Sequence, residues 1–318
     1  MNKSVTSPPS PTRRSDAATL SPLDAFLLVQ VEAILEAKRS YRRGEPDAIH
    51  RIRVAVRRAI SVLTEFGAVV GSPTDVSELS SELLWLSKQL GGARDREVQQ
   101  KRLCELFAEL DPELIVGPVR RRLQLHFDGL EMAESNRVEL TLDSVQFKAT
   151  LDALREFASS GREWNETDHN AVIVVVAHAE RRVTKRLRDV QSESSGSVRD
   201  AAVHRMRKAV RRLRYIVEAF EPVSGQDVGR AISTLTTLQL SLGEHQDSVT
   251  GREQLRALRR DAELCREDTF TLGILYQREI DNGDRAIGNL VREWHRAERA
   301  CRAFREHSRN LSVEAVER

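Results

Sequence analysis

The sequence is poor in cysteine and has no long apolar run. Its three cysteines (Cys104, Cys265 and Cys301) are odd in number, lie far apart and form no CxxC pair, so neither a disulfide framework nor a zinc site is expected. The longest apolar run, residues 171–177, is far too short to cross a membrane, and the N-terminus lacks the apolar segment of a signal peptide. These absences predict a cytoplasmic protein.

Aromatic residues are also scarce, at 5% of the chain, and glycine and proline are sparse through most of it. Together with abundant Leu, Arg, Glu and Ala, this composition argues against a β-protein and predicts an all-α fold. From Leu23 onward apolar residues recur at helical spacing. Helices are predicted at about 23–43, 47–70, 79–90, 96–110, 113–133, 143–158, 170–190, 199–220, 227–242, 248–264, 269–281 and 284–307, with Asp95 as an N-cap.

Composition divides the chain into three parts. Residues 1–22 are rich in Ser, Pro and Thr, lack apolar periodicity and are predicted to be a disordered tail. A polar segment at 159–168 then separates a first half, at about 23–158, from a second half, at about 170–310. Each half is long enough to form a bundle of about four helices.

The two halves contain matching segments. Residues 50–66 read HRIRVAVRRAISVLTEF and residues 204–220 read HRMRKAVRRLRYIVEAF, with eight of 17 positions identical. A second block follows in the same order, since Leu90-Gly91 matches Leu242-Gly243 and Asp95 matches Asp247. Two separated blocks in one order predict an internal duplication.

Both matched helices combine an apolar face with a basic one. On a helical wheel, His50, Arg53 and Arg57 share the side opposite the apolar residues, and the second copy repeats this arrangement. Segments 50–58 and 204–214 hold ten of the 50 Lys and Arg residues and no acid, although oppositely charged pairs at i,i+4 normally stabilise exposed helices. A negatively charged ligand would offset the resulting repulsion, although a solvated face or acids elsewhere in the bundle remain the alternatives.

The residue types narrow the chemistry of such a ligand. Arginine binds phosphate oxygens with a planar fork of donors, and a protonated histidine beside it can donate as well. Either histidine could instead orient a helix terminus, and Asp95 and Asp247 are interpreted as caps or as partners of arginine. Neighbouring cations disfavour a metal ion, and no nucleophile or nucleotide-binding motif occurs. No cofactor or metal is therefore predicted.

The paired HxxR…RR helices, with LGGARDREV at 90–98 and LGEHQDSV at 242–249, resemble the CHAD family, the conserved histidine α-helical domain. The resemblance covers about 23–310 and implies two pseudo-symmetric four-helix bundles around a basic central cavity. It also implies a non-enzymatic protein that binds inorganic polyphosphate in a basic pore and associates with polyphosphate granules and their proteins. The candidate polyphosphate-binding residues are His50, Arg51, Arg53, Arg57, Arg58, His204, Arg205, Arg207, Lys208, Arg211, Arg212, Arg214 and Tyr215.

The chain departs from the family pattern at one place. The family usually continues Arg-Arg-Leu-Arg, but here Arg57-Arg58 is followed by Ala59-Ile60, so the first half lacks a counterpart of Arg214. The ExExK signature of the CYTH domain, to which family members are often fused, is absent from this sequence. Two alternative functions remain open at this point. The same faces could bind nucleic acid, although few aromatic residues are present to stack on its bases. The protein could also be an enzyme that processes phosphate esters or polyphosphate.

Overall fold

The computed structural model describes residues 21–70, 73–160, 166–193 and 196–316. Within these ranges the chain is helical and contains no strand, which confirms the all-α prediction. The predicted disordered tail falls almost wholly on residues 1–20, which lie outside the described residues. The elements in chain order are α1 (Pro22–Arg42), α2 (Ala48–Val70), α3 (Pro73–Gln89), α4 (Gly92–Ala108), a 3-10 turn (Pro112–Leu114), α5 (Val119–Leu142), α6 (Val145–Ala158), α7 (Glu166–Ser192), α8 (Gly196–Glu218), α9 (Glu221–Leu264), α10 (Phe270–Ile287) and α11 (Leu290–Val316).

Helix α1 shows how local sequence sets these bounds. The Ser21 hydroxyl accepts a hydrogen bond from the Asp24 N–H at 3.1 Å, and Pro22 occupies the first helical position, where its missing N–H costs nothing. The helix ends before Gly44, whose φ of 70° is accessible to glycine at little cost. The chain can therefore reverse into α2 within a short turn, as the Gly44-Glu-Pro46 sequence predicts.

Two predictions fail around the second matched block. Helix α4 begins at Gly92, so Asp95 lies inside the helix and the N-cap prediction is wrong. The predicted helices at 227–242 and 248–264 are one 44-residue helix, α9, which contains Gly243 and Asp247. Two consecutive glycines interrupt the first copy, whereas Gly243 is followed by Glu244. A single glycine costs a helix only about 1 kcal/mol, which packing against neighbouring helices offsets.

The helices share one main hydrophobic core, and a smaller second core lies beside it. The main core joins α1, α2, α3 and α6 to α7, α8, α11 and the first part of α9. The second core is formed by α4, the first part of α5, the second part of α9 and α10. The main core therefore unites the two halves and does not divide at the polar segment near residue 160.

The packing order is nevertheless similar in the two halves. In the first half α1 and α3 each pack against both α2 and α6, and in the second half α7 and α9 each pack against both α8 and α11. This similarity favours the duplication, which stays a prediction. Of the helices described, none is both long enough and apolar enough to span a lipid bilayer.

Candidate functional site: the arginine cluster between α2 and α8

Helices α2 and α8, which carry the matched segments, pack against each other. Their apolar faces are buried, and Phe66 of α2 meets its counterpart Phe220 of α8 edge to face, with ring centroids 5.6 Å apart. This contact fixes the two helices side by side. As a result, the basic faces of both matched segments are brought into the same region.

Four arginines form the centre of this region: Arg53 and Arg57 from α2, and Arg207 and Arg211 from α8. We call them the arginine cluster. Burial lowers the pKa of Arg57, and the charges of Arg53 and Arg207 lower it further. Burial together with the charges of Arg57, Arg207 and Arg212 lowers the pKa of Arg211 to about 10. Such mutual effects arise only between charges that lie close together, so guanidinium groups from both helices converge.

Three members of the cluster, Arg57, Arg207 and Arg211, have no carboxylate partner among the described residues, unlike arginines that serve a structural role. In the described ranges, neither Arg207 nor Arg211 forms a salt bridge with a carboxylate. The side chain of Arg57 is hydrogen-bonded to Tyr215 rather than to an acid. The buried Nε atoms of Arg57 and Arg207 find no acceptor among the residues described. A buried donor without an acceptor costs about 1–3 kcal/mol, so these donors do not stabilise the fold.

The arginines at one edge of the cluster are partly neutralised by an acid that lies just outside the matched acid-free segments. Glu218 accepts from Nε of Arg58 at 2.8 Å and pairs with Arg214 at 2.8 Å, while Arg214 also donates to Gln239 at 2.9 Å. This carboxylate is 8% exposed and lies just beyond the segment in which no acid occurs. Arg58 and Arg214 are therefore held in place by an internal anion.

A second carboxylate acts in the same way on the neighbouring helix pair. Glu65 of α2 accepts from Arg182 of α7 at 2.7 and 3.1 Å and from Arg212 of α8 at 3.1 Å. Its side chain is 9% exposed. Each of these buried glutamates binds two arginines, so each group retains one net positive charge while its geometry is fixed.

Tyr215 is placed differently from the sequence expectation. It was expected on the basic face, but its side chain is 1% exposed and contributes to the core beneath the arginines. The guanidinium carbon of Arg214 lies 4.9 Å from its ring centroid, and that of Arg58 lies 5.7 Å away. Its ring therefore supports these two arginines and is not available for stacking on a base.

The two histidines have different surroundings. Nδ1 of His204 lies 2.5 Å from Oε1 of Gln246 on α9, and burial followed by the charges of Lys208, Arg207 and Arg211 lowers its pKa, although the Gln246 bond opposes this. His50 is exposed at the start of α2. His204 is therefore the histidine that the arginine cluster influences directly.

The remaining predicted residues lie at the periphery. Arg51, Arg205 and Lys208 are exposed, and Arg51 donates to the carbonyl of Pro46 at 3.2 Å. His204 and Arg205 also line a cleft of about 730 Å³ between α8, α9 and α10. Arg51 also pairs with Glu45 at 3.6 Å, so these residues lie outside the centre of the arginine cluster.

Sequence reasoning missed the residues that orient the arginines. Glu218 could have been found, because it follows Arg214 at i,i+4, which is the spacing of a helical ion pair. Glu65, Gln239 and Gln246 carry no such signal, since they reach their partners from other helices. Among the described residues, no group of three or more His, Cys, Asp or Glu side chains could hold a metal ion.

The fold and this basic region define an all-helical domain of a recognisable class. Residues 25–256 match the CHAD domain family, and the chain belongs to that family. The solved structure of PptA from Streptomyces chartreusis is similar, with a TM-score of 0.71 and 19% identity over 86% of this chain and 98% of that one. The crystal structure of the CHAD domain from the plant Ricinus communis has a TM-score of 0.66 and 22% identity, over 86% of this chain and 90% of that one.

Two curated relatives come from Mycobacterium tuberculosis. They are the uncharacterized protein Rv2226 of strain H37Rv and the uncharacterized protein MT2285 of strain CDC 1551, each 33% identical over 291 residues. The alignments cover 90% of this chain and 55% of each relative. The chain thus spans about half the length of the curated relatives that it matches.

Proposed function

We propose that this protein binds inorganic polyphosphate through the arginine cluster and does not convert it chemically. The observation that carries the proposal is the convergence of Arg57, Arg207 and Arg211 without a carboxylate partner among the described residues. The chain belongs to the CHAD family, and its resemblance to that family implies polyphosphate binding, which supports the proposal. Association with granules in the cytoplasm, and with their other proteins, belongs to the same proposal.

The chemistry of the cluster fits a chain of phosphates better than a single small anion. Guanidinium groups donate in pairs to phosphate oxygens, and such charge-assisted bonds contribute about 1.5–3 kcal/mol each. Polyphosphate carries a negative charge on every unit, so it can engage arginines of both helices at once. Because Arg58 and Arg214 are already oriented by Glu218, they can add contacts at the edge of the cluster without further ordering.

A direct test measures affinity for long-chain polyphosphate by calorimetry at several salt concentrations. We expect binding that weakens steeply as salt rises, because each neutralised phosphate releases a counterion, by analogy with nucleic acids. Free phosphate is measured in parallel with and without a divalent metal, and we expect no release. Affinity that is absent or independent of salt would overturn the proposed function, and metal-dependent phosphate release would identify an enzyme.

Nucleic acid is the competing ligand that the sequence left open. The burial of Tyr215 weighs against it, because the ring cannot stack on bases from beneath Arg58 and Arg214. In a competition assay at matched total charge, we expect polyphosphate to displace single-stranded RNA from the protein. The reverse order of affinity would favour nucleic acid as the ligand.

Polyphosphate binding should strengthen as the pH falls, because His204 takes up a proton. In the free protein its pKa is lowered by burial and by the neighbouring cations, so the imidazole is neutral at pH 7. A bound polyanion favours the protonated form, and this raises the pKa in the complex. Binding therefore takes up a proton, and the dissociation constant should fall as the pH decreases from 7 toward about 6.

The control for this pH effect is His204→Gln, which keeps a polar side chain but cannot titrate. We expect a smaller change in affinity over the same pH range than in the wild type, with the fold unchanged by circular dichroism. Identical pH profiles for the two proteins would show that His204 does not take part in the binding.

A further inference from the structure

Helix α11 carries a second row of cations that the arginine cluster does not include. Arg292, His295, Arg299 and Arg302 lie at i, i+3, i+7 and i+10, which places them on one face of the helix. We call this row the α11 strip. All four side chains are exposed, and within the described part of the chain none of them pairs with a carboxylate. The face opposite them carries the buried residues Trp294, Ala297, Cys301 and Phe304.

The acids on the same stretch of α11 are engaged with neighbouring helices. Glu293 is half-buried and accepts a hydrogen bond from the Ser241 hydroxyl of α9 at 3.1 Å. Glu298 is also half-buried and accepts from the Thr184 hydroxyl of α7 at 3.4 Å. Glu293 is thus directed toward α9. Glu298 lines the groove between α7 and α11, but the arginines that line this groove (Arg181, Arg188, Arg302 and Arg305) outnumber its two acids, Glu298 and Glu180, so the groove keeps a positive charge.

The strip borders two concave surfaces of suitable size for phosphate groups. Arg292, His295 and Arg299 line a depression of about 380 Å³ at the start of α11, and no acid lines it. Arg302 lines the adjoining groove of about 420 Å³ between α7 and α11, across which lie Arg181 and Arg188 of α7. Neither of these α7 arginines pairs with a carboxylate among the described residues.

The floor of this groove is closed by a buried ion pair. Arg305 donates to both carboxylate oxygens of Glu180, at 3.0 and 2.9 Å, and the Glu180 side chain is 8% exposed. Glu180 also attracts the charge of Arg302, but both of its oxygens accept from Arg305. The guanidinium groups at the rim therefore keep hydrogen-bond donors for an anion that enters from solvent.

Helix α9 separates the α11 strip from the arginine cluster. Gln239 and Gln246 of α9 contact Arg214 and His204 on the cluster side, whereas Ser241 contacts α11. Because successive residues turn by about 100° around a helix, Ser241 lies about 160–200° from Gln239. The contacts of α9 with the arginine cluster and with α11 thus lie on different sides of this helix, which lies between the two basic surfaces.

From this arrangement we propose that the α11 strip, with Arg181 and Arg188, is a second polyphosphate-binding surface, so that one protein molecule can bridge two chains. The inference rests on the proposed function for its ligand but concerns a different set of residues. Arginines at i,i+3 repel one another in the free protein, and a polyanion along the helix removes that repulsion. Bridging would give the protein the ability to crosslink polyphosphate.

The test counts binding sites with a short polyphosphate of defined length and measures crosslinking with a long chain by turbidity. We expect wild-type protein to bind two short chains and to make long-chain polyphosphate turbid. The variant Arg292→Ala/Arg299→Ala/Arg302→Ala should bind one short chain and produce no turbidity. A matched control, Arg39→Ala/Arg155→Ala/Arg259→Ala, removes three exposed arginines that pair with surface glutamates and should behave as the wild type does.

The outcomes separate this inference from the proposed function. One short chain per wild-type molecule, lost on mutation of the arginine cluster but not of the strip, would overturn the second surface and leave the proposed function intact. Complete absence of polyphosphate binding would overturn both. A strip that binds RNA but not polyphosphate in the same assay would also contradict the inference.

Discussion

Replacing Arg57, Arg207 and Arg211 together by alanine should lower polyphosphate affinity on the order of a thousandfold at physiological salt. Each arginine contributes charge-assisted hydrogen bonds of about 1.5–3 kcal/mol, and each 1.4 kcal/mol changes affinity tenfold. The sum of the individual effects exceeds this figure, but contacts within one cluster are not additive. Calorimetry with long-chain polyphosphate measures the loss, and the slope of affinity against salt should decrease as well.

The same variant should not lose stability in proportion. Burial lowers the pKa of Arg211 to about 10, and repulsion from Arg57 and Arg207 contributes to this shift. None of the three arginines has a carboxylate partner in the described ranges. Removal of the charges therefore relieves repulsion, which offsets the packing lost with the long side chains. We expect a melting temperature equal to or above that of the wild type, as is common where stability has been given up for binding.

This pairing of readouts distinguishes a ligand site from a structural network. In a structural network, alanine substitutions would lower both the melting temperature and the affinity. The control Arg39→Ala/Arg155→Ala/Arg259→Ala removes the same number of charges and should retain its affinity. Unchanged polyphosphate affinity in the cluster variant would contradict the assignment of the site.

The sequence predicts the helical fold and the centre of the candidate site because both depend on local periodicity. The apolar positions of 50–66 and 204–220 mark which face is buried, so the opposite face, with Arg57 and Arg211, follows directly. Both matched segments end in a phenylalanine, and the contact between the rings of Phe66 and Phe220 explains why. The assignment of buried and basic faces on these two helices therefore agrees with the structure.

The flanking chemistry could not be predicted in the same way, because it depends on contacts between helices. Glu65 of α2 binds Arg182 of α7 and Arg212 of α8, and no spacing in the sequence predicts these contacts. Tyr215 is among the predicted polyphosphate-binding residues, yet the packing of α8 buries its side chain. The glycine at 243 predicted a break in α9, because sequence patterns do not report the tertiary support that keeps the helix continuous.

The second large effect should come from Arg102, which lies outside the arginine cluster and joins α4 to α9 and α10. Its guanidinium donates to both oxygens of Glu279 on α10, at 2.7 and 2.8 Å, and to Glu244 on α9 at 2.6 Å. The Glu279 side chain is fully buried. In Arg102→Ala this carboxylate loses the cation that it binds in the described part of the chain. A buried charge is then left uncompensated, and we expect the free energy of unfolding to fall by about 3–5 kcal/mol.

A second substitution tests this cause. In Arg102→Ala/Glu279→Gln the buried charge is removed together with its partner, so we expect much of the lost free energy of unfolding to return. The neighbouring exposed substitution Lys101→Ala, which removes only a 3.9 Å surface pair with Glu105, should cost less than about 0.5 kcal/mol. A double variant that is no more stable than Arg102→Ala, or a loss in Arg102→Ala that matches the loss in Lys101→Ala, would show that the buried carboxylate is not the cause.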